Sequence, residues 1–131
     1  MKLLLDTHIA LWSLTDDPRL SSAARALILD PENEICVSAV TLWEIAIKHG
    51  LGRGGPNAMP IGGDEAMELF LASGYDLIPI TPEQVVLVEQ LPAIHADPFD
   101  RLLIVQGLSG AQRLVTHDAV VASYSAHIIR V

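Results

Sequence analysis

The chain is 131 residues long, with 8 Lys and Arg against 16 Asp and Glu and a formal net charge of −8. Half of its residues are apolar and its mean hydropathy is +0.39, which excludes global disorder, provides for a sizeable core and suggests that some apolar surface meets a partner. The acidic balance argues against a non-specific, high-affinity nucleic-acid binder, because phosphate contacts lean on Lys and Arg, and no apolar run approaches the roughly 18 residues needed to cross a membrane.

Strand-like and helix-like segments alternate from end to end. That order predicts an α/β fold over residues 1–131 as a single domain, with a central twisted parallel sheet of about five short strands and helices on both faces. Residues 2–6 form a short, nearly all-apolar run of the kind a buried parallel strand needs. The run superficially resembles a signal peptide, but Asp6 interrupts it and Asp16-Asp17-Pro18 stands where a cleavage site would fall. The expectation is a cytoplasmic protein.

Residues 7–14 continue as a helix carrying Ile9, Leu11 and Trp12, and Pro18 breaks the pattern. Ser21 caps a second helix that ends before Pro31. The strand over 34–37 holds the one cysteine, Cys36, which reads as a small core residue. Ser38 caps the next helix, which contains Trp43, Glu44 and Lys48 and ends at Gly50. Residues 51–57 are glycine-rich and read as a mobile surface loop, with Arg53 joining Lys48 and His49 in the nearest approach to a basic cluster.

Residues 64–75 read as an amphipathic helix and 77–80 as a strand. Thr81-Pro82-Glu83-Gln84 opens a helix with a cap, a proline at the first position and a box residue at the third; Asp97-Pro98-Phe99-Asp100 opens another. A strand over 113–116, a short helix from Asp118 and a strand over 127–131 complete the order.

Asp6, Glu44, Asp100 and Asp118 each stand where a strand-like run ends or where a helix after such a run opens. In an open α/β sheet the ligand crevice lies beyond the carboxyl ends of the strands, so the four converge on one place. At an effective dielectric of about 20, two such charges about 5 Å apart repel by roughly 3 kcal/mol, and a hard divalent cation resolves the conflict. Two divalent ions would return the region towards neutrality.

Each acid also has a plainer reading. Asp6 and Asp118 can serve only as helix caps, with Thr7 sharing the first duty, and Glu44 reads by spacing as an exposed i,i+4 partner of Lys48. Asp97 is assigned mainly to the cap and Asp100 to the site. His95 and His117 stand beside candidate acids and could donate to a carboxylate or a phosphate, but read more simply as surface or core residues. Metal-ligand spacings of the H-E-x-x-H or paired-cysteine type are absent, as are phosphate-binding glycine loops and a G-x-S-x-G elbow.

Four blocks of the chain resemble a family. Leu4-Leu5-Asp6-Thr7-His8, the run from Ser38 through Trp43-Glu44-Ile45 to Lys48, His95-Ala96-Asp97-Pro98-Phe99-Asp100-Arg101-Leu102-Leu103, and Leu114-Val115-Thr116-His117-Asp118 are similar to the signature blocks of PIN-domain ribonucleases. The nearest likeness is to VapC-type toxins of bacterial toxin-antitoxin pairs. The resemblance implies a PIN-like three-layer fold and a metal-dependent endoribonuclease cleaving transfer or ribosomal RNA with Mg2+ or Mn2+, one or two ions. Asp6, Glu44, Asp100 and Asp118 match the family's metal-binding acids, with Thr116, Asp97 and Thr7 in support. It also implies a VapB-like antitoxin, a homodimer, and a larger assembly that meets DNA only through the antitoxin. The segment after Lys48 departs from the compact Gly-Lys-Leu type turn of related sequences, so substrate contacts there do not carry over.

With two metals, the expectation is Asp6 and Asp100 at the tighter ion, Glu44 completing that shell or orienting the water, and Asp118 helping hold a weaker one. A basic antitoxin side chain would stand in for the cation. The helices of Trp12 and Trp43 are candidates for the groove that receives it, although both tryptophans also read as core, Trp43 the more so. A receiver-type domain would want paired acids after the first strand, and an aspartyl phosphatase a second Asp where His8 stands. The remaining alternative is a catalytically silent PIN-like binding module.

Overall fold

The computed structural model describes residues 1–52 and 58–131; residues 53–57, with Arg53 and most of the glycine-rich segment, lie outside the described residues. Five strands, β1 (Lys2–Leu5), β2 (Glu34–Ser38), β3 (Asp76–Ile78), β4 (Arg113–Thr116) and β5 (Ile129–Arg130), form an all-parallel sheet in the order β3-β2-β1-β4-β5. The chain leaves β1 first towards β2 and only later reaches β4 on the other side. The carboxyl ends of β1 and β4 therefore flank a point where the strand order reverses, the place at which such sheets open a crevice.

The helices are α1 (Thr7–Thr15), α2 (Ser22–Leu29), α3 (Ala39–Gly50), α4 (Gly63–Ala72), α5 (Pro82–Leu87), α6 (Pro98–Ser109) and α7 (Ala119–Ala122), with a 3₁₀ turn at Val88–Gln90. Alternation along the strands divides the core. Leu3, Leu5, Ile35, Val37 and Val115 pack with α1, α2 and α4 on one face, while Leu4, Cys36 and Leu114 pack with α6 and α7 on the other. Helix α3 serves both faces, through Ile45 and Val40 respectively.

Local sequence explains most boundaries. Asp6, Ser21, Ser38, Asp97 and Asp118 each cap a helix through the side chain, and Thr81 with Gln84 makes the expected capping box. Helix α1 ends where Asp16 turns left-handed, at φ 52°. Helix α4 stops short of the expected residue 75 because Gly74, at φ +80°, reverses the chain into β3. The strand expected over 77–80 lies earlier. Its register is set by β2, with Val37 opposite Leu77, and Pro79 has no N–H to continue the ladder. The last strand is likewise shorter than the expected 127–131.

Of the two tryptophans, it is Trp43 that departs from its expected place in the core. Trp12 is the buried one at 8% exposure; Trp43 is 49% exposed, its ring edge-on to Phe99 at 4.7 Å. Cys36 is a buried free thiol, as expected of a core residue. Helix α6 comes so near β4 that a Cβ on Gly107 would stand 2.8 Å from that of Leu114. Phe70, fully buried, anchors α4 in the first core; Phe70→Ala is expected to lower unfolding stability by about 3–5 kcal/mol, read by urea denaturation. Among the described residues, no helix is long and apolar enough to cross a membrane.

Candidate functional site

Beyond the ends of β1 and β4 the backbone itself fixes one carboxylate. The Asp6 N–H donates to the Val115 carbonyl at 3.0 Å, tying the residue to the neighbouring strand. Its Oδ1 accepts from the Ile9 N–H at 2.9 Å and its Oδ2 from Thr116 Oγ1 at 2.5 Å. Thr116 Oγ1 in turn accepts from the Asp118 N–H at 3.0 Å. Asp6 is 8% exposed. Burial raises its carboxyl above the ordinary range, against the pull of the Thr116 and Ile9 hydrogen bonds.

Glu44 is 3% exposed, so the Glu44–Lys48 pair is not the surface pair that spacing suggests. Its Oε1 accepts from Thr7 Oγ1 at 2.7 Å and its Oε2 from Lys48 Nζ at 2.5 Å. Thr7 also reaches Thr41, 3.2 Å between hydroxyl oxygens. Burial works against the charge on Lys48, but the Glu44 hydrogen bond and charge, with Asp97 and Asp100 behind them, hold its ammonium above the usual range.

Asp97 opens α6 by accepting from the N–H groups of Phe99 at 2.8 Å and Asp100 at 3.1 Å. Asp100, in the first turn, has a carboxyl pushed up to about 7, first by burial and then by the charges of Asp97, Glu44 and Asp6, with His95 opposing. Asp118 caps α7 through Oδ1, accepting from Val120 at 2.7 Å and Val121 at 3.3 Å, and its side chain is 43% exposed. The candidate site acids Asp6 and Asp118 thus also cap helices.

Asp100 Oδ2 lies 2.8 Å from His95 Nε2, and Asp118 Oδ2 lies 3.8 Å from the same nitrogen. Ligand atoms of these three residues all fall within 4.8 Å of one another. Asp6 and Glu44 stand outside that tight group but close enough for their charges to act on Asp100. Carboxylate oxygens gathered at such short range, with the Asp100 carboxyl raised to about 7, are a donor set suited to a hard divalent cation.

Residues 3–126 match the family described as PIN domain. The chain belongs to that family. This PIN domain is similar to a protein named Ribonuclease VapC22 from Mycobacterium tuberculosis, 28% identical, with 92% of this chain and 90% of the relative covered. Its fold is similar to the crystal structure of VapBC2 from Rickettsia felis bound to a DNA fragment from their promoter. The TM-score is 0.67 at 16% identity, covering all of this chain and 98% of the other. The expected PIN-like α/β fold is therefore the observed one.

Two residues of this PIN domain were under-read from its sequence. Lys48 holds a buried Glu44 rather than the exposed partner expected, and His95 faces the carboxyls of Asp100 and Asp118. The sequence signals for His95 are its place five residues before Asp100 and at the head of the third family-like block, inside a segment without periodicity. Beside the acids runs a groove of about 590 Å3 lined among others by His8, Leu11, Trp12, Arg19, Lys48 and Met59. Arg19 lies over the Trp12 ring, 5.1 Å from its centroid, and His117 packs against the same ring at 5.0 Å.

Proposed function

We propose that this PIN domain is a metal-dependent endoribonuclease and the toxin of a toxin-antitoxin pair, cleaving transfer or ribosomal RNA in the cytoplasm. The observation that carries the reading is the convergence of Asp6, Glu44 and Asp100 at one strand-end crevice, where burial first and then the neighbouring charges raise the Asp100 carboxyl to about 7, with Asp118 on its rim. The name of the VapC22 relative supports the activity, and the VapBC2 neighbour supports a toxin-antitoxin setting.

Asp6, Glu44, Asp100 and Asp118 would hold one or two ions of Mg2+ or Mn2+. A bound divalent ion supplies a more acidic water as nucleophile and neutralises charge that develops on the phosphate. The chain's own part is placement. Thr116 and the Ile9 N–H fix both oxygens of Asp6, Thr7 fixes Glu44, and Asp97 sets the first turn of α6 so that Asp100 enters beside them. Lys48 offsets part of the acidic charge and lies at the groove margin, where it meets an approaching phosphate.

The partner fits the same surface. A VapB-like antitoxin segment would lay apolar side chains along Leu11, Trp12 and Met59 and extend a basic one to the acids. Homodimers would assemble further with antitoxin, reaching promoter DNA only through it. Inducing the chain alone in a bacterial host is expected to halt protein synthesis and growth, with Asp100→Asn growing normally. Undiminished growth with soluble, folded wild-type chain would contradict the toxin reading.

A further inference from the structure

We infer that His95 is a positioning residue that holds Asp100, and to a lesser degree Asp118, through a proton fixed on Nε2, and that it acts on the ion only through those carboxylates. The inference rests on the metal-dependent reading above and adds a residue that the four-acid site does not contain.

The tautomer is set by the backbone. His95 Nδ1 accepts from the Asp97 N–H at 3.4 Å, so the proton of the neutral ring sits on Nε2. That nitrogen is buried, 2.8 Å from Asp100 Oδ2 and 3.8 Å from Asp118 Oδ2, yet it makes no in-line hydrogen bond with either. A donor facing two carboxylate oxygens without being aligned to one is placed to be shared between them. It would become fully used if Asp100 gave its other oxygen to a cation, as ligating carboxylates are commonly held from behind, whereas the other oxygen of Asp118 already caps α7. A protonated Nε2 has no lone pair to coordinate an ion.

The loop is anchored to deliver this ring. Arg101 follows Asp100 in sequence but donates to backbone carbonyls instead, through Nη1 to Pro92 and His95, each at 3.1 Å, and through Nη2 to Val88 at 3.0 Å. The His95 N–H donates to Tyr124 Oη at 2.7 Å, and that hydroxyl donates to the Pro92 carbonyl at 3.0 Å. A guanidinium next in sequence to Asp100 and a tyrosine from beyond α7 are thus committed to one irregular stretch, from which His95 faces Asp100 and Asp118.

The test titrates the purified full chain with Mn2+, followed by the paramagnetic resonance of the free ion, and repeats it with Mg2+ by calorimetry. His95→Ala is expected to weaken binding of both ions by about 10–100-fold. His95→Gln, which retains an N–H at the place of Nε2, should recover most of it, and Tyr124→Phe should show an intermediate loss. Metal-free melting of each variant separates a fold defect from an effect on the acids. Unchanged affinity in His95→Ala would overturn the inference, as would a wild-type chain that binds neither ion. A loss in both variants confined to Mn2+ would also overturn it, by making His95 a ligand. Because no RNA enters the titration, the expected pattern in a chain that fails to cleave RNA would uphold this role and sink the ribonuclease.

Discussion

Asp100→Asn is expected to lower RNA cleavage by at least about 10²–10³-fold, the scale on which removing one preorganised electrostatic contact acts in the transition state. Asparagine keeps the shape of the side chain and the first turn of α6, whose cap belongs to Asp97. It removes the charge that would bind the ion and leaves the fold in place. Asp6→Asn is expected to lose cleavage to a similar degree. Its amide oxygen can still accept from the Ile9 N–H and preserve the N-cap, but its amide nitrogen cannot accept from Thr116 as Oδ2 does. Single-turnover assays on one mapped RNA, with melting curves for both variants, measure this. Wild-type rates in both variants would remove these acids from the site.

The second large effect is on stability and its dependence on pH. With chelator present, the carboxyls of Asp6 and Asp100 bind protons more tightly in the folded chain than in the unfolded one, because burial raises both and neighbouring acids raise Asp100 further. The folded state then holds more protons across the window between the ordinary 3.8 and about 7 for Asp100. Stability must fall as pH rises through that window. For Asp100 the loss is of order 2–4 kcal/mol, which for a domain of this size amounts to roughly 3–5 °C of melting temperature per kcal/mol. Asp17, held at about 2 by Arg19, contributes with the opposite sign, but only below its ordinary 3.8 and so outside the window.

Melting at pH 5 and pH 8 in chelator should therefore show the wild type less stable at the higher pH, and Asp100→Asn should flatten the difference. Mn2+ should reverse the trend, because it binds the deprotonated carboxylates and gains affinity as protons leave. A chelated wild-type chain that grows more stable from pH 5 to pH 8, with Asp100→Asn following it, would contradict the electrostatic account of the site.

These acids were legible in the sequence because strand ends are legible. An apolar run closing on Asp6, and a cap-proline pair before Asp100, mark the carboxyl side of a parallel sheet whatever the partner strands are. The caps at Ser21, Thr81 and Asp97 were readable for the same local reason: side chain and backbone satisfy each other within one turn. What depended on distant residues was not readable. The strand opposite β2 slid to 76–78 because ladder register and Pro79 chose it over the more apolar 77–80. Trp43 was misread because α3 touches both cores and its apolar residues extend around the helix, so periodicity alone could not say which lay outward. The burial of Glu44 goes with its hydrogen bond from Thr7, thirty-odd positions away in the chain. His95 sits in a segment held by Arg101 and Tyr124, for which sequence offers no period.

The measurement that bears most directly on the central claim is cleavage of total cellular RNA by the purified chain with Mg2+ or Mn2+, with chelator, and after the ion is restored. Discrete fragments that appear with the ion, vanish with chelator, return on restoration and are missing with Asp100→Asn are the expected result. Fragments that persist in chelator or with Asp100→Asn, or a folded chain free of antitoxin that leaves the RNA intact with both ions, would contradict it.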